Sequence, residues 1–179
     1  MKNIYLIRHC VAAGQSPEAP LTEQGEGQAR ELAEILSTVG VDRIISSPFK
    51  RAVDTFLPLA MKMSIEIETD SRLAERVLST ENLPDWFEKL KSTFDDLDLK
   101  LEGGESSREA MTRIVEVVGA VFNSDVENTI LVSHGNLLSL LLKHYDNSFG
   151  FEEWRNMSNP DVYLIKYDGQ EATIDRLWK

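Results

Sequence analysis

Short apolar runs of β-branched residues alternate with stretches of helical periodicity along this chain, and that alternation predicts an α/β fold. The expected architecture is a three-layer sandwich, a mostly parallel central sheet with helices on both faces. Two runs anchor the expectation: Lys2–Cys10 (KNIYLIRHC) and Thr129–Ser133 (TILVS) read as strands destined for the interior. Both end abruptly in polar residues, Arg8-His9 and Ser133-His134.

The elements follow in order. A loop rich in Ala, Gly, Ser and Pro covers Val11–Leu21, and Thr22 is placed to cap a helix with acidic residues in its first turn. Ala29, Leu32, Ala33, Leu36 and Val39 recur at helical spacing up to Gly40, a stop signal. Val41–Ser46 reads as a strand. Ser47-Pro48 then reads as the opening of a helix running to about Met61, and Pro58 inside it predicts a kink or an early end. Ser64–Glu68 alternates as a short strand, and Thr69–Glu75 leads out of it as a loop. Residues 78–101 read as a cap-like excursion, with Trp86, Phe87, Leu90 and Phe94 on an amphipathic helix across Asn82–Leu101. A turn at Glu102–Ser106 precedes a helix to about Asn123, and Gly135–Tyr145 is a strongly apolar helix. Val162–Tyr167 and Glu171–Trp178 read as closing strands around an Asp168-Gly169 turn. No repeat or linker interrupts residues 1–179, so a single domain is expected.

The net charge of −11 argues against nucleic-acid and anionic-membrane partners, and no apolar run approaches the roughly 18 residues of a membrane span. The N-terminus lacks the long apolar stretch of a signal peptide, and a lone cysteine fits a reducing compartment; a cytoplasmic location is expected. An acidic protein that binds an anion must concentrate its positive charge locally. If the two polar-ended strands are parallel neighbours, Arg8, His9 and His134 meet at one rim beside helix N-termini, which favour anions. Arg51, one turn into the helix after the second strand, can reach the same rim. Two arginines and two histidines converging there suggest a phosphate monoester or a similar oxyanion.

The segments LIRHC, PLTEQGEGQA, SSPFKRAVDT, LAER, GGES and LVSHGN stand in the order and approximate spacing of the histidine phosphatase superfamily, the phosphoglycerate mutase-like proteins. The chain resembles that family over nearly its whole length. The resemblance implies a metal-independent phosphatase, needing no cofactor, that hydrolyses a small phosphorylated metabolite through a phosphohistidine on His9. It implies Arg8, Arg51, His134 and Gln15 as phosphate-binding residues, Gln15 standing where the family often has asparagine. It implies Glu75 as the proton donor to the leaving oxygen. The chain departs from the family at Cys10-Val11, where Gly-Glu is usual; cysteine fits there only if the backbone stays in an ordinary region.

Other readings are weighed beside this one. A cysteine-dependent phosphatase needs an arginine six residues after Cys10, where Ser16 stands. A metallohydrolase needs ligand spacing that His9, His134 and His144 lack. The Cys10-Val11 departure motivates a phospho-ligand-binding protein with little turnover, and an open site would favour a phosphoprotein phosphatase. A mutase is disfavoured because the chain lacks the length of the family's mutases. The substrate and the oligomeric state are not legible.

Overall fold

The computed structural model describes residues 1–178. Six strands form one sheet: β1 (Lys2–Arg8), β2 (Arg43–Ser46), β3 (Ile67–Thr69), β4 (Asn128–Ser133), β5 (Asp161–Tyr167) and β6 (Ala172–Arg176). Their order is β3-β2-β4-β1-β5-β6, with β1 to β4 mutually parallel and β5 antiparallel to both of its neighbours. The α-helices among the described residues are α1 (Glu23–Leu36), α2 (Lys50–Met63), α3 (Trp86–Asp95), α4 (Ser107–Phe122), α5 (Gly135–Tyr145) and α6 (Phe151–Arg155).

Alternation along the strands sorts the core into two layers, as the period of two requires. Ile4 and Leu6 of β1, Leu131 of β4 and Ile165 of β5 pack with α3, α4, α5 and α6. Tyr5 and Ile7, Ile130 and Val132, and Val162 and Leu164 face the opposite layer, built on α1 and α2. The three-layer sandwich is therefore the architecture observed. Its central pair, β1 and β4, sends its following helices to opposite faces, α1 to one and α5 to the other. In open α/β sheets a crevice opens where neighbouring strands diverge in this way, at their carboxyl ends. Arg8 pairs with Ser133 across β1 and β4, so His9 and His134 both emerge into that crevice.

Several boundaries differ from expectation for identifiable reasons. Helix α1 ends at Leu36, before Val39, and Gly40 instead takes φ 68° in the turn to β2. Helix α2 opens at Lys50, not after Ser47: the backbone is still extended at Phe49 (φ −64°, ψ 137°), and the Ser47 N–H bonds Val132 O at the sheet edge. Pro58 does not end α2: buried Phe56, Leu59 and Ala60 hold the helix on the sheet as far as Met63. The third strand lies at Ile67–Thr69, later than its alternating pattern. A 3-10 turn at Ser71–Leu73 buries Leu73, and α6 lies in a stretch with no helical expectation. Helix α3 covers only half of the amphipathic stretch, because beyond Phe94 the pattern changes period: Leu97, Leu99 and Leu101 are half-buried and alternate with exposed Asp98 and Lys100. Thr22 and Ser106 cap α1 and α4 through their hydroxyl groups, the latter in a capping box with Glu109.

Candidate active site

His9 is 7% exposed at the end of β1. Its Nδ1 lies 2.7 Å from the Cys10 carbonyl oxygen, which can only accept, so Nδ1 carries the proton. Nε2 is then the lone-pair nitrogen, and Arg51 Nε donates to it at 3.2 Å. Burial pushes the His9 imidazolium down to about 4, against the pull of the Cys10 carbonyl and with the Arg51 and Arg8 charges assisting. His9 is thus a neutral imidazole with one lone pair aimed at an arginine.

Arg51 reaches this point from the first turn of α2. It is 2% exposed, its Nη1 donates to the Gln15 and Ser16 carbonyl oxygens at 3.1 and 3.0 Å, and its guanidinium lies 5.1 Å from the Phe49 ring. Arg8 donates through Nη1 to Met157 O at 3.2 Å, and its buried Nε has no protein partner. The Arg8 guanidinium lies flat against Gly135, where a Cβ would come within 2.8 Å of Cζ; glycine at the start of α5 is what admits it. His134 is 1% exposed, its Nε2 is 2.8 Å from Ser47 Oγ, and its Nδ1 has no partner. Its ring lies edge-on to His9 at 5.1 Å, and burial first, then the His9, Arg51 and Arg8 charges, hold it neutral, well below its ordinary value.

Glu75 closes the site from the segment after the 3-10 turn. Its Oε1 accepts from the N–H groups of Arg76 (2.8 Å) and Leu137 (2.9 Å), and Oε2 from that of Asn136 (3.1 Å). The carboxylate thus occupies free donors in the first turn of α5. Arg8, Arg51, His9, Gln15 and Glu75, with Gly135 and Asn159, line a cavity of about 150 Å³. Beside it lies a second cavity of about 500 Å³, and Arg8, Gln15 and Glu75 line both. Five of the six expected site residues therefore share the smaller cavity, and His134 lies outside its lining, edge-on to His9. Gln15 is the outermost; its side chain is exposed at the mouth.

The backbone after β1 is held by side chains that sequence reasoning missed. Asn159 Nδ2 donates to His9 O (2.9 Å), Cys10 N–H to Thr55 Oγ1 (3.0 Å), and Val11 N–H to Gln28 Oε1 (3.0 Å). Gln28 Nε2 donates in turn to Asn159 O at 3.1 Å, linking α1 to the segment before β5. Gln28 stood inside a quoted motif without a role, and Asn159 carried no local signal. Cys10 fits where glycine is usual: Ser64 is the only positive-φ non-glycine among the described residues. Burial pushes the Cys10 thiol up to about 12, so it is an inert apolar filler. Among the described residues no cluster of three His, Cys, Asp or Glu side chains is placed to hold a metal ion. What the pocket offers chemically is a neutral nucleophilic nitrogen, two guanidinium groups and one carboxylate around a phosphate-sized space.

Two measurements check this geometry. The unfolded chain protonates His9 near 6.5 and the folded one near 4, so His9 alone removes stability as pH falls through that interval, on the order of 3 kcal/mol in full. His134 acts in the same direction. The His9 ring resonances are expected to stay constant from pH 7.5 to 5 and to titrate near 4; an inflection above 6 contradicts the buried neutral ring. Gln28→Leu removes the link to Asn159 and the Val11 acceptor. It should lower kcat about tenfold with little change in KM, since misplacing a reacting group costs rate rather than affinity; a rise in KM alone would deny Gln28 a positioning role.

Comparison with known proteins gives the chain's kinship. The sequence profile described as "Histidine phosphatase superfamily (branch 1)" matches residues 4–179. The protein named "Probable phosphoglycerate mutase GpmB" from Salmonella paratyphi B is 30% identical over 193 aligned positions, covering 96% of this chain and 87% of that one. Among solved structures, a mycobacterial glucosyl-3-phosphoglycerate phosphatase superposes with a TM-score of 0.80 at 21% identity, covering 98% of each chain. The α-ribazole phosphatase of Shigella flexneri gives 0.78 at 21% identity, covering 98% of this chain and 95% of that one. At these identities the two structures speak for the fold, while the profile match over nearly the whole chain settles kinship: this chain belongs to the histidine phosphatase superfamily.

Proposed function

We propose that the protein is a metal-independent phosphatase that hydrolyses a small phosphate monoester through a phosphohistidine on His9. One observation carries the reading. The His9 proton is fixed on Nδ1 by the Cys10 carbonyl, and the Nε2 lone pair faces a cavity with Arg8, Arg51 and Glu75 on its walls. Nε2 attacks phosphorus in line while the ester P–O bond breaks, and the Arg51 Nε hydrogen bond that covered the lone pair shifts to a phosphoryl oxygen. Arg8, Arg51, the free Nδ1 of His134 and the Gln15 amide hold the remaining oxygens, supplying the positioning and charge that phosphoryl transfer demands. The Cys10 carbonyl stabilises the positive ring that results.

Glu75 lines both cavities, where a phosphate in the smaller one would hand its ester oxygen to a leaving group in the larger. In its protonated form it gives that oxygen a proton. The resulting carboxylate then takes a proton from water as the water oxygen attacks phosphorus. The P–N bond breaks, its electron pair returns to Nε2, and phosphate leaves.

Among the described residues no helix is long and apolar enough to cross a membrane. The acidic charge and the enclosed site support a small phosphorylated metabolite as substrate and the cytoplasm as the location. A phosphoprotein substrate fits less well, because Leu78, Trp86, Leu90 and Trp154 wall the way in. The relative named for mutase activity favours a second reading, in which the phosphoryl group returns to an alcohol instead of water; isomerisation of phosphoglycerate after adding the bisphosphate would establish it.

Substitution separates the roles. His9→Ala is expected to abolish hydrolysis of an aryl phosphate with the fold intact, and retained turnover would refute the nucleophile. Glu75→Gln should slow esters of poor leaving groups at least about tenfold more than activated ones, since a general acid matters most when the leaving oxygen is basic. Equal slowing of both would remove Glu75 from that role.

A further inference from the structure

The larger cavity differs in character from the phosphate cavity it adjoins. Beyond the shared Arg8, Gln15 and Glu75, its lining is apolar at Leu78, Trp86, Leu90 and Trp154 and polar at Arg76 and Asn136. The aromatic lining is built rather than accidental. Phe87 packs edge-on against Trp86 (5.6 Å) and Phe151 (5.1 Å) and lies 6.3 Å from Trp154, so α3 and α6 brace the two indoles from behind. Yet Trp86 remains 50% exposed, a large apolar ring left facing the mouth of a catalytic cleft.

The polar lining carries an unused donor. Asn136 is 7% exposed, and its Nδ2 has no hydrogen-bond partner. Arg76 Nη1 approaches its Oδ1 at 3.5 Å, which identifies the oxygen end of the amide and leaves the NH2 end free. A buried amide donor without a partner is unfavourable, and a ligand acceptor relieves that. Arg76 is itself engaged, its Nε and Nη2 donating to the Glu105 carbonyl at 3.2 and 2.9 Å. Away from the Arg8, Gln15 and Glu75 that it shares with the phosphate cavity, the wall therefore offers flat apolar surface and one free buried donor.

We propose that this cavity is a leaving-group subsite for a flat apolar ring, an aryl or heterocyclic alcohol bearing one hydrogen-bond acceptor near the ester oxygen. The ring packs on Trp86 and Trp154, and the acceptor receives a hydrogen bond from Asn136 Nδ2. This rests on the phosphatase reading above and adds the class of alcohol released.

The test compares esters whose alcohols have similar acidity, so that leaving ability does not confound recognition. Benzyl phosphate should exceed propyl phosphate in kcat/KM by about tenfold or more, the scale of discrimination by an apolar pocket. An ortho-acetyl group on the ring should raise it further. Trp86→Ala should collapse the benzyl-to-propyl ratio, and Asn136→Leu should erase the ortho-acetyl gain while keeping the ring preference. Equal rates for benzyl and propyl esters, a ratio unmoved by Trp86→Ala, or a hexose phosphate preferred over both would overturn the subsite. Failure to hydrolyse any ester would instead strike the phosphatase reading. Binding of benzylphosphonate, followed by indole fluorescence, then decides the subsite alone: tighter binding than propylphosphonate, lost in Trp86→Ala, supports it, and equal binding refutes it.

Discussion

The bond from Arg51 Nε to His9 Nε2 has meaning only because the Cys10 carbonyl holds the other ring proton. That carbonyl belongs to a three-residue stretch pinned on every side. The His9 carbonyl is held by Asn159, the Cys10 amide by Thr55 and the Val11 amide by Gln28, while the Val11 carbonyl accepts from Thr22 N–H. The braces come from α1 with its cap, from α2 and from the segment before β5, so the nucleophile is aimed by the tertiary fold and not by its own strand. The same loop explains the buried glycine of α1: a Cβ on Gly25 would lie 2.0 Å from the Val11 oxygen. Precision at one ring nitrogen thus propagates outward into requirements on helices α1 and α2 and on the approach to β5.

Electrostatics supports the same arrangement. The chain carries eleven more acidic than basic groups, yet Arg8, Arg51 and Arg76 surround one carboxylate, Glu75. Burial lowers all three guanidinium groups from their ordinary value, and the Glu75 charge opposes that effect in each. Three guanidinium groups against one carboxylate leave the site positive and receptive to a dianion. Local concentration of cations in an acidic shell also keeps nonspecific polyanions away.

What was legible in the sequence was what the local pattern encodes. Two strands ending in Arg8-His9 and Ser133-His134 announced their own depth and direction, and parallel pairing in register did the rest. Arg51 was legible because a helix follows β2 immediately. Glu75 and Gln15 lie in irregular chain, so only kinship pointed to them. Gln28, Thr55 and Asn159 escaped notice because each acts on a distant backbone group: Asn159 and His9 are 150 residues apart. Period misled where two signals overlapped, as at Asn82–Leu101, whose helical half carries Trp86 to the cleft while its second half alternates.

The central claim is that phosphate passes through a covalent bond to His9 Nε2. Rapid acid-free quenching of a turning-over mixture, followed by mass spectrometry and 31P NMR of the isolated peptide, reads that bond directly. The account predicts one phosphoryl group on His9, bonded to Nε2, stable to base and labile to acid. Phosphate on another residue, or release of phosphate with inversion at phosphorus and no covalent species, would contradict it.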